Sequence, residues 1–431
     1  MLTKTLPAEG QEEAPSSRAA DAMAHAVWTA SPLVARSDAV RFQRFLHSRQ
    51  YPSDCRSTVG ARARQDYFYA LGLGAQMVSL KFNFVHALLS DQVYHFPTSH
   101  YVNPLRCPSR SFGCYFAAPT NCSWPNGAAP APEQKKHRRT ENVKIHWCFD
   151  LPRRKLSRLA GLRAVHSKEW YHAQVSAFLF RPNAELATFG RELLANMEQG
   201  ASVGNLPLKN GNGGNNGSCV AVHIRRTDKH TEDHRTAQRT FHDFAQLFKA
   251  WGYWKYDGAV TSLRAFLGSE DKTTFTTMPP LLAPYNSYWI PARYFVMDGS
   301  AGKKFKDIRQ GNSRLGELYG SLEDEAKKGS SGGTAASSHL QKDEGMVLIA
   351  QILLMSGCEA VLASYSSNVA ILVHDLMLAR KVARAEPMHA LDVNGRVYCG
   401  CGASFCMNLE RKTVREAGRS IKHVIDGFKY R

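Results

Sequence analysis

Apolar and polar positions along the chain fall into alternating helical and extended periods. Residues 38–50 space apolar side chains among basic ones at roughly helical intervals. The run 72–89 opens on Gly72-Leu73-Gly74 and places Met77, Leu80, Phe84, Val85 and Leu88 on one face. That spacing predicts a buried helix, and a short strand follows at 93–96. The aromatic-rich run from Trp170 reads as a core helix stopped by Arg181-Pro182. Cys219-Val220-Ala221-Val222-His223 lacks a helical period and reads as a strand buried inside a parallel sheet. An amphipathic helix at 240–251, a strand at 293–297, an apolar helix at 346–355, a strand at 359–363 and a helix at 369–378 complete the pattern. Strands alternating with helices predict the α/β class with parallel sheets.

Breaks in the pattern suggest the division of the chain. Residues 1–37, rich in Ala, Ser, Pro and charge, read as a disordered tail. Residues 103–145 carry Cys, Pro, Asn and Gly and read as an irregular loop. The stretch GNLPLKNGNGGNNG at 204–217 has the composition of a flexible linker. The expectation is an N-terminal α/β domain over 38–205 and a C-terminal Rossmann-like domain over 206–431. Two inserted loops are expected in the latter, at 252–291 and 301–344, the first aromatic, proline-containing and without a clear period.

The chain has 431 residues, and 55 Lys+Arg against 37 Asp+Glu leave a formal charge of +18. Such a balance favours anionic partners. The cations are scattered, apart from short runs at 135–139 and 153–155, and no RNA-binding signature, zinc finger or basic heptad helix accompanies them. Nucleic acid is therefore not the expected partner. None of the ten cysteines forms a C-x-x-C pair, so disulfides in an oxidising compartment are favoured over a metal site. No apolar run near the start is long enough for a signal peptide or membrane anchor.

The chemistry concentrates where the strand 219–223 ends. Arg225, Arg226, Thr227, Asp228 and Lys229 arrive together at the carboxyl end of a strand, the edge where open α/β sheets bind ligands. Paired guanidinium groups match phosphate oxygens two at a time. The residues fit a phosphate or pyrophosphate site, or equally a surface cluster in which Asp228 pairs with an arginine. Two further strand ends are polar. Asp298 follows the strand 293–297, where it would bind sugar or base hydroxyls or cap the next helix. Ser366 and Ser367 stand between strand 359–363 and helix 369–378, offering hydroxyls and helix-terminal N–H groups to an anion, with plain N-capping expected as well.

VHIRRTDK, at 222–229, closely resembles the signature of the α-1,6-fucosyltransferases that add core fucose to N-glycans, and more distantly the wider fucosyltransferase superfamily. The glycine turn and helix at 72–89, the aromatic helix with its Arg-Pro turn, and LLMSGCEAVLASYSSNVA at 353–370 resemble further parts of that family in the same order. The resemblance implies a GT-B-like pair of Rossmann-like domains and transfer of fucose from GDP-fucose without a metal cofactor. It implies Arg225, Arg226 and Glu232 as catalytic residues, Glu232 as the base, with Asp233 the neighbouring alternative. It implies His223, Arg225, Arg226, Asp228, Lys229, Asp298, Ser366 and Ser367 as donor-binding residues. The acceptor would be an N-glycan or glycoprotein, the compartment the Golgi lumen, and a homodimer is compatible with it. Two positions depart from the family: Gln351 stands where it carries an aspartate, and Asp298-Gly299 retains half of an aspartate pair. They support the alternative of a sugar-nucleotide or glycan-binding protein without turnover; a superfamily member acting on a protein or another oligosaccharide is the second alternative.

Overall fold

The structure, a computed structural model, describes residues 31–55, 59–62, 72–99, 101–102, 106–122, 151–199, 219–225, 239–256, 263–291, 294, 343–394, 398 and 400. Its class is α/β with a largely parallel sheet.

The N-terminal part is helical around one small βαβ unit. α1 (Pro32–Gln50) is started by Ser31, whose side chain accepts from the Val34 N–H, with Pro32 in the first turn. The helix therefore begins inside the stretch read as a tail from its composition. Asp38 is fully buried and accepts from the backbone N–H groups of Arg163 (3.0 Å) and Ala164 (3.1 Å) and bonds His166 (2.9 Å), fastening residues 163–166 to α1. β1 (Val59–Arg62) pairs in parallel with β2 (Gln92–His95), and α2 (Leu73–Leu89) joins them. α3 (Arg153–Leu159), α4 (Lys168–Leu179) and α5 (Ala184–Ala195) follow. Disulfides Cys55–Cys122 and Cys107–Cys114 tie down the irregular stretch expected to hold such bonds.

The second part is a six-stranded sheet: β3 (Glu198–Gln199), β4 (Cys219–Ile224), β5 (Arg264–Ser269), β6 (Asn286–Trp289), β7 (Ala360–Ala363) and β8 (His389–Asp392). Their order is β3-β6-β5-β4-β7-β8, all parallel except the edge strand β3. Four helices serve the sheet: α6 (Phe241–Tyr256), α7 (Thr273–Leu282), α8 (Glu344–Met355) and α9 (Asn368–Arg384). Alternation along the strands divides the core. Val220, Val222, Ala265 and Leu267 pack with Phe244, Phe248 and Trp251 of α6, whereas Ala221, Phe266, Val361 and Ala363 join the cluster that contains α8 and α9.

The stretch 252–291, expected as an inserted loop, is largely regular in its described residues. It holds the end of α6, β5 beside the central strand, α7 and β6. Pro279 and Pro280 lie inside α7, which obscures its helical signal, and β5 is too short to announce itself by alternation. The strand expected at 293–297 lies outside the described residues except Tyr294, which stacks edge-on against Phe189. The loop expected at 301–344 is described only from Asp343 onward.

α9 joins the two parts. Every residue from Val369 to Ala379 is buried, because α9 packs on the sheet and also beneath α2 and α4. In that interface the Lys81 ammonium pairs with Asp375, which also accepts from Ser176 Oγ (2.9 Å) and the Tyr398 hydroxyl. Burial lowers the Lys81 pKa against the pull of Asp375; burial would raise that of Asp375, but Lys81 together with His374 and His172 outweighs it and holds the carboxyl well below the usual range.

Candidate functional site

The order in which strands are laid down reverses at β4: β5 and β6 extend to one side of it, β7 and β8 to the other. The crevice at the carboxyl ends of β4 and β7 is therefore the topological switch point, where such sheets take their ligands. His223 pairs with Ala363 across these strands, so the Arg225 end of one and the Ser364–Ser367 turn of the other meet there.

The contact is direct. His223 Nε2 and Ser367 Oγ are 3.0 Å apart, and both residues are buried. Burial, and then the neighbouring Arg225 guanidinium, push the His223 pKa down to about 3, with the Gly268 backbone acting weakly in the opposite sense. The imidazole is neutral at physiological pH, and Arg225 supplies the positive charge. Arg225 is half-buried and also acts on Tyr101, whose hydroxyl pKa burial raises and Arg225 draws down.

Ser367 occupies the N-cap of α9, yet its side chain makes no capping bond; the hydroxyl serves His223 instead. The side-chain N-capping expected of Ser366 or Ser367 is therefore not made by Ser367, the residue at the cap position. α2 also starts without a side-chain cap, at Gly72. The two helix starts lie together: a Cβ on Gly74 would stand 3.1 Å from Val369 Cγ2 and 3.5 Å from the Val369 nitrogen. Close packing is thus what Gly74 provides, and it sets two positive helix ends side by side.

The serine turn has its own scaffold, contributed by β8. Tyr365 N–H donates to Asp392 Oδ2 (2.5 Å) and Asn394 N–H to Asp392 Oδ1 (2.7 Å). Asn394 Nδ2 donates to Ser364 Oγ (3.0 Å), Ser364 bonds Ser366 (2.8 Å), and Arg239 Nε donates to Asn394 Oδ1 (3.1 Å). None of Arg239, Ser364, Asp392 and Asn394 stood out in the sequence. The only local signal was the strand-end Asp-x-Asn of LDVN, a common turn composition.

Of the expected site residues, His223, Arg225, Ser366 and Ser367 come together. Arg226, Asp228, Lys229, Glu232 and Asp298 lie outside the described residues. Gln351, on α8, reaches the same neighbourhood: a Cβ on Gly268, the β5 partner of His223, would fall 2.5 Å from its Nε2. Asp343 is occupied structurally. It caps α8 through Met346 N–H (3.0 Å) and accepts the Tyr115 hydroxyl at 2.8 Å, and burial raises its pKa despite both bonds. Among the described residues no cluster of His, Cys, Asp and Glu could hold a metal ion, and no helix is long and apolar enough to cross a membrane.

No protein-family model and no curated protein matches the chain. Among solved structures it is similar to NodZ alpha-1,6-fucosyltransferase soaked with GDP-fucose, at a TM-score of 0.35 and 13% identity over 73% of this chain and 92% of that one. It is also similar to the same enzyme co-crystallized with GDP, at a TM-score of 0.33 and 13% identity over 73% and 91% of the two chains.

Proposed function

We propose that the protein is a GT-B-like glycosyltransferase that moves fucose from GDP-fucose to a glycan, by α-1,6 linkage to the core GlcNAc of N-glycans. One observation carries the reading. Arg225, neutral His223 and the Ser366-Ser367 start of a long helix meet at the switch point of a parallel sheet, within the motifs that resemble the fucosyltransferases. This combination suits a diphosphate: a fixed guanidinium, a helix end and hydroxyl donors, none of which needs a proton lost or gained at neutral pH.

In the proposed reaction a hydroxyl of the acceptor attacks the anomeric carbon of fucose and the diphosphate leaves with the bonding electrons. Arg225 and Arg226 neutralise the charge that develops on the leaving oxygen, so a metal cofactor is not required by the scheme. Glu232 takes the proton of the attacking hydroxyl, giving single displacement with inversion. Asp228 and Lys229 shape the arginine loop, and Asp298 takes hydroxyls of the nucleoside. The disulfides are consistent with an oxidising compartment, and the Golgi lumen is the proposed location. The alternative, a sugar-nucleotide-binding protein without turnover, draws on Gln351, whose carboxamide stands where the family carries a carboxylate.

Isothermal titration with GDP and GDP-fucose tests the reading, using the protein and its Arg225→Ala variant in EDTA. Binding that survives EDTA and is lost in the variant supports it. Absence of binding by the intact protein overturns it, and binding without fucose transfer to any glycan acceptor establishes the alternative.

A further inference from the structure

The proposed site uses none of the cationic surface built by α1 and α3. Along α1, Leu33, Arg36, Val40 and Arg44 recur at helical spacing and are all exposed, forming one outward stripe. Its only carboxylate, Asp38, is turned inward onto the Arg163 and Ala164 amides and His166. Beside this stripe Arg153, Arg154, Lys155 and Arg158 of α3 are exposed, and residues 151–167 contain no carboxylate. Arg41 Nη1 donates to the Gly161 carbonyl (3.3 Å), which makes the two cationic runs continuous.

Hydrophobic exposure is concentrated on the same two helices and the residues that follow α3. Leu33 is 72% exposed, Val40 48%, Val165 46% and Leu159 40%, leaving Tyr253 as the fifth large hydrophobic so exposed among the described residues. Among the described residues of α1 and 151–167, exposed aliphatic groups interleave with cations and no carboxylate is exposed, which marks an interaction surface. We propose that this face docks on an anionic lipid bilayer, with the arginines and Lys155 at the headgroup phosphates and Leu33, Val40, Leu159 and Val165 entering the acyl boundary. A soluble polyanion would use the cations equally well but would leave the aliphatic groups in water. Recognition of a single-stranded nucleic acid would call for aromatic platforms, and this face exposes leucine and valine instead.

The test is co-sedimentation of the full chain with phosphatidylcholine vesicles and with vesicles in which phosphatidylserine replaces part of the phosphatidylcholine. The protein should pellet with the anionic vesicles, remain in solution with the neutral ones, and dissociate as salt is raised. Arg153→Gln/Arg154→Gln/Lys155→Gln should lower partitioning on the order of a hundredfold, at about fivefold per cation. Leu33→Ser/Val40→Ser, which keeps the charge, should lower it about tenfold. Unchanged circular dichroism and melting temperature verify that both variants fold. Failure to pellet with anionic vesicles overturns the proposal, as does indifference of binding to either variant. Loss only in the cation variant, with an RNA oligonucleotide or polyglutamate competing fully, overturns it in favour of a soluble polyanion.

Discussion

Asp392 holds the serine turn from outside the motif that contains it, and removing its carboxylate has a calculable consequence. In Asp392→Ala the backbone N–H groups of Tyr365 and Asn394, residues 4% and 9% exposed, lose their acceptor. A buried donor left unpaired costs about 1–3 kcal/mol, so the two together cost about 3 kcal/mol once partial solvation at the crevice is allowed for. That would remove a large share of the stability usual for a folded domain, about 5–15 kcal/mol. Asp392→Asn keeps one acceptor oxygen and should recover about half of the loss. Urea unfolding measures the stability, and titration with GDP reads whether Ser366 and Ser367 are still presented. The expected order for both quantities is wild type, then Asp392→Asn, then Asp392→Ala. An Asp392→Ala protein within about 0.5 kcal/mol of wild type would refute the reasoning. Equal loss of GDP affinity in both variants would show that the charge of Asp392, rather than the bonds to Tyr365 and Asn394, is what the turn requires.

Two other perturbations follow from buried charge. Lys81→Met leaves Asp375 buried without its cation and should lower stability by about 3–5 kcal/mol, whereas Lys81→Met/Asp375→Leu should recover most of it; thermal unfolding decides, and an unaltered single variant would count against the pairing. His223 binds its proton only near pH 3 in the folded state against about 6.5 when unfolded, so the unfolded state binds more protons between those values. Its contribution to stability is complete above pH 6.5 and falls as the pH drops, by at most about 1.4 kcal/mol per unit. His223→Gln should therefore flatten the acid limb of a stability–pH curve, and an unchanged slope would contradict the neutral, buried imidazole.

Local pattern was enough to locate most of the elements that bear the site. The periods of 72–89 and 346–355 match α2 and α8 within two residues, that of 369–378 matches α9 except for its last six residues, and the strands at 219 and 359 match β4 and β7. Burial leaves its mark at each position, so a chain read in order reveals which segments are helical, which are extended and where polarity changes abruptly. Arg225 and the serine pair were visible for that reason. Element ends were less legible: α1 starts at Pro32 because Ser31 caps it, a stronger local cause than the composition of the preceding stretch.

What only the tertiary structure decided is which of these ends are neighbours. The order β5-β4-β7 brings residue 223 to residue 367, and no local period records a pairing across that separation. Ser367 has the composition of a helix cap in the sequence, but a buried histidine nitrogen claims its hydroxyl in the fold. Gly74 stands in a glycine turn at the start of a helix, and its absent side chain makes room for α9. Lys81 is a cation within the apolar run of α2, and it lies fully buried against Asp375. In each case residue type limits the bonds that can form, and packing of distant segments selects the one that does, because a buried polar group must find its partner wherever the fold places one.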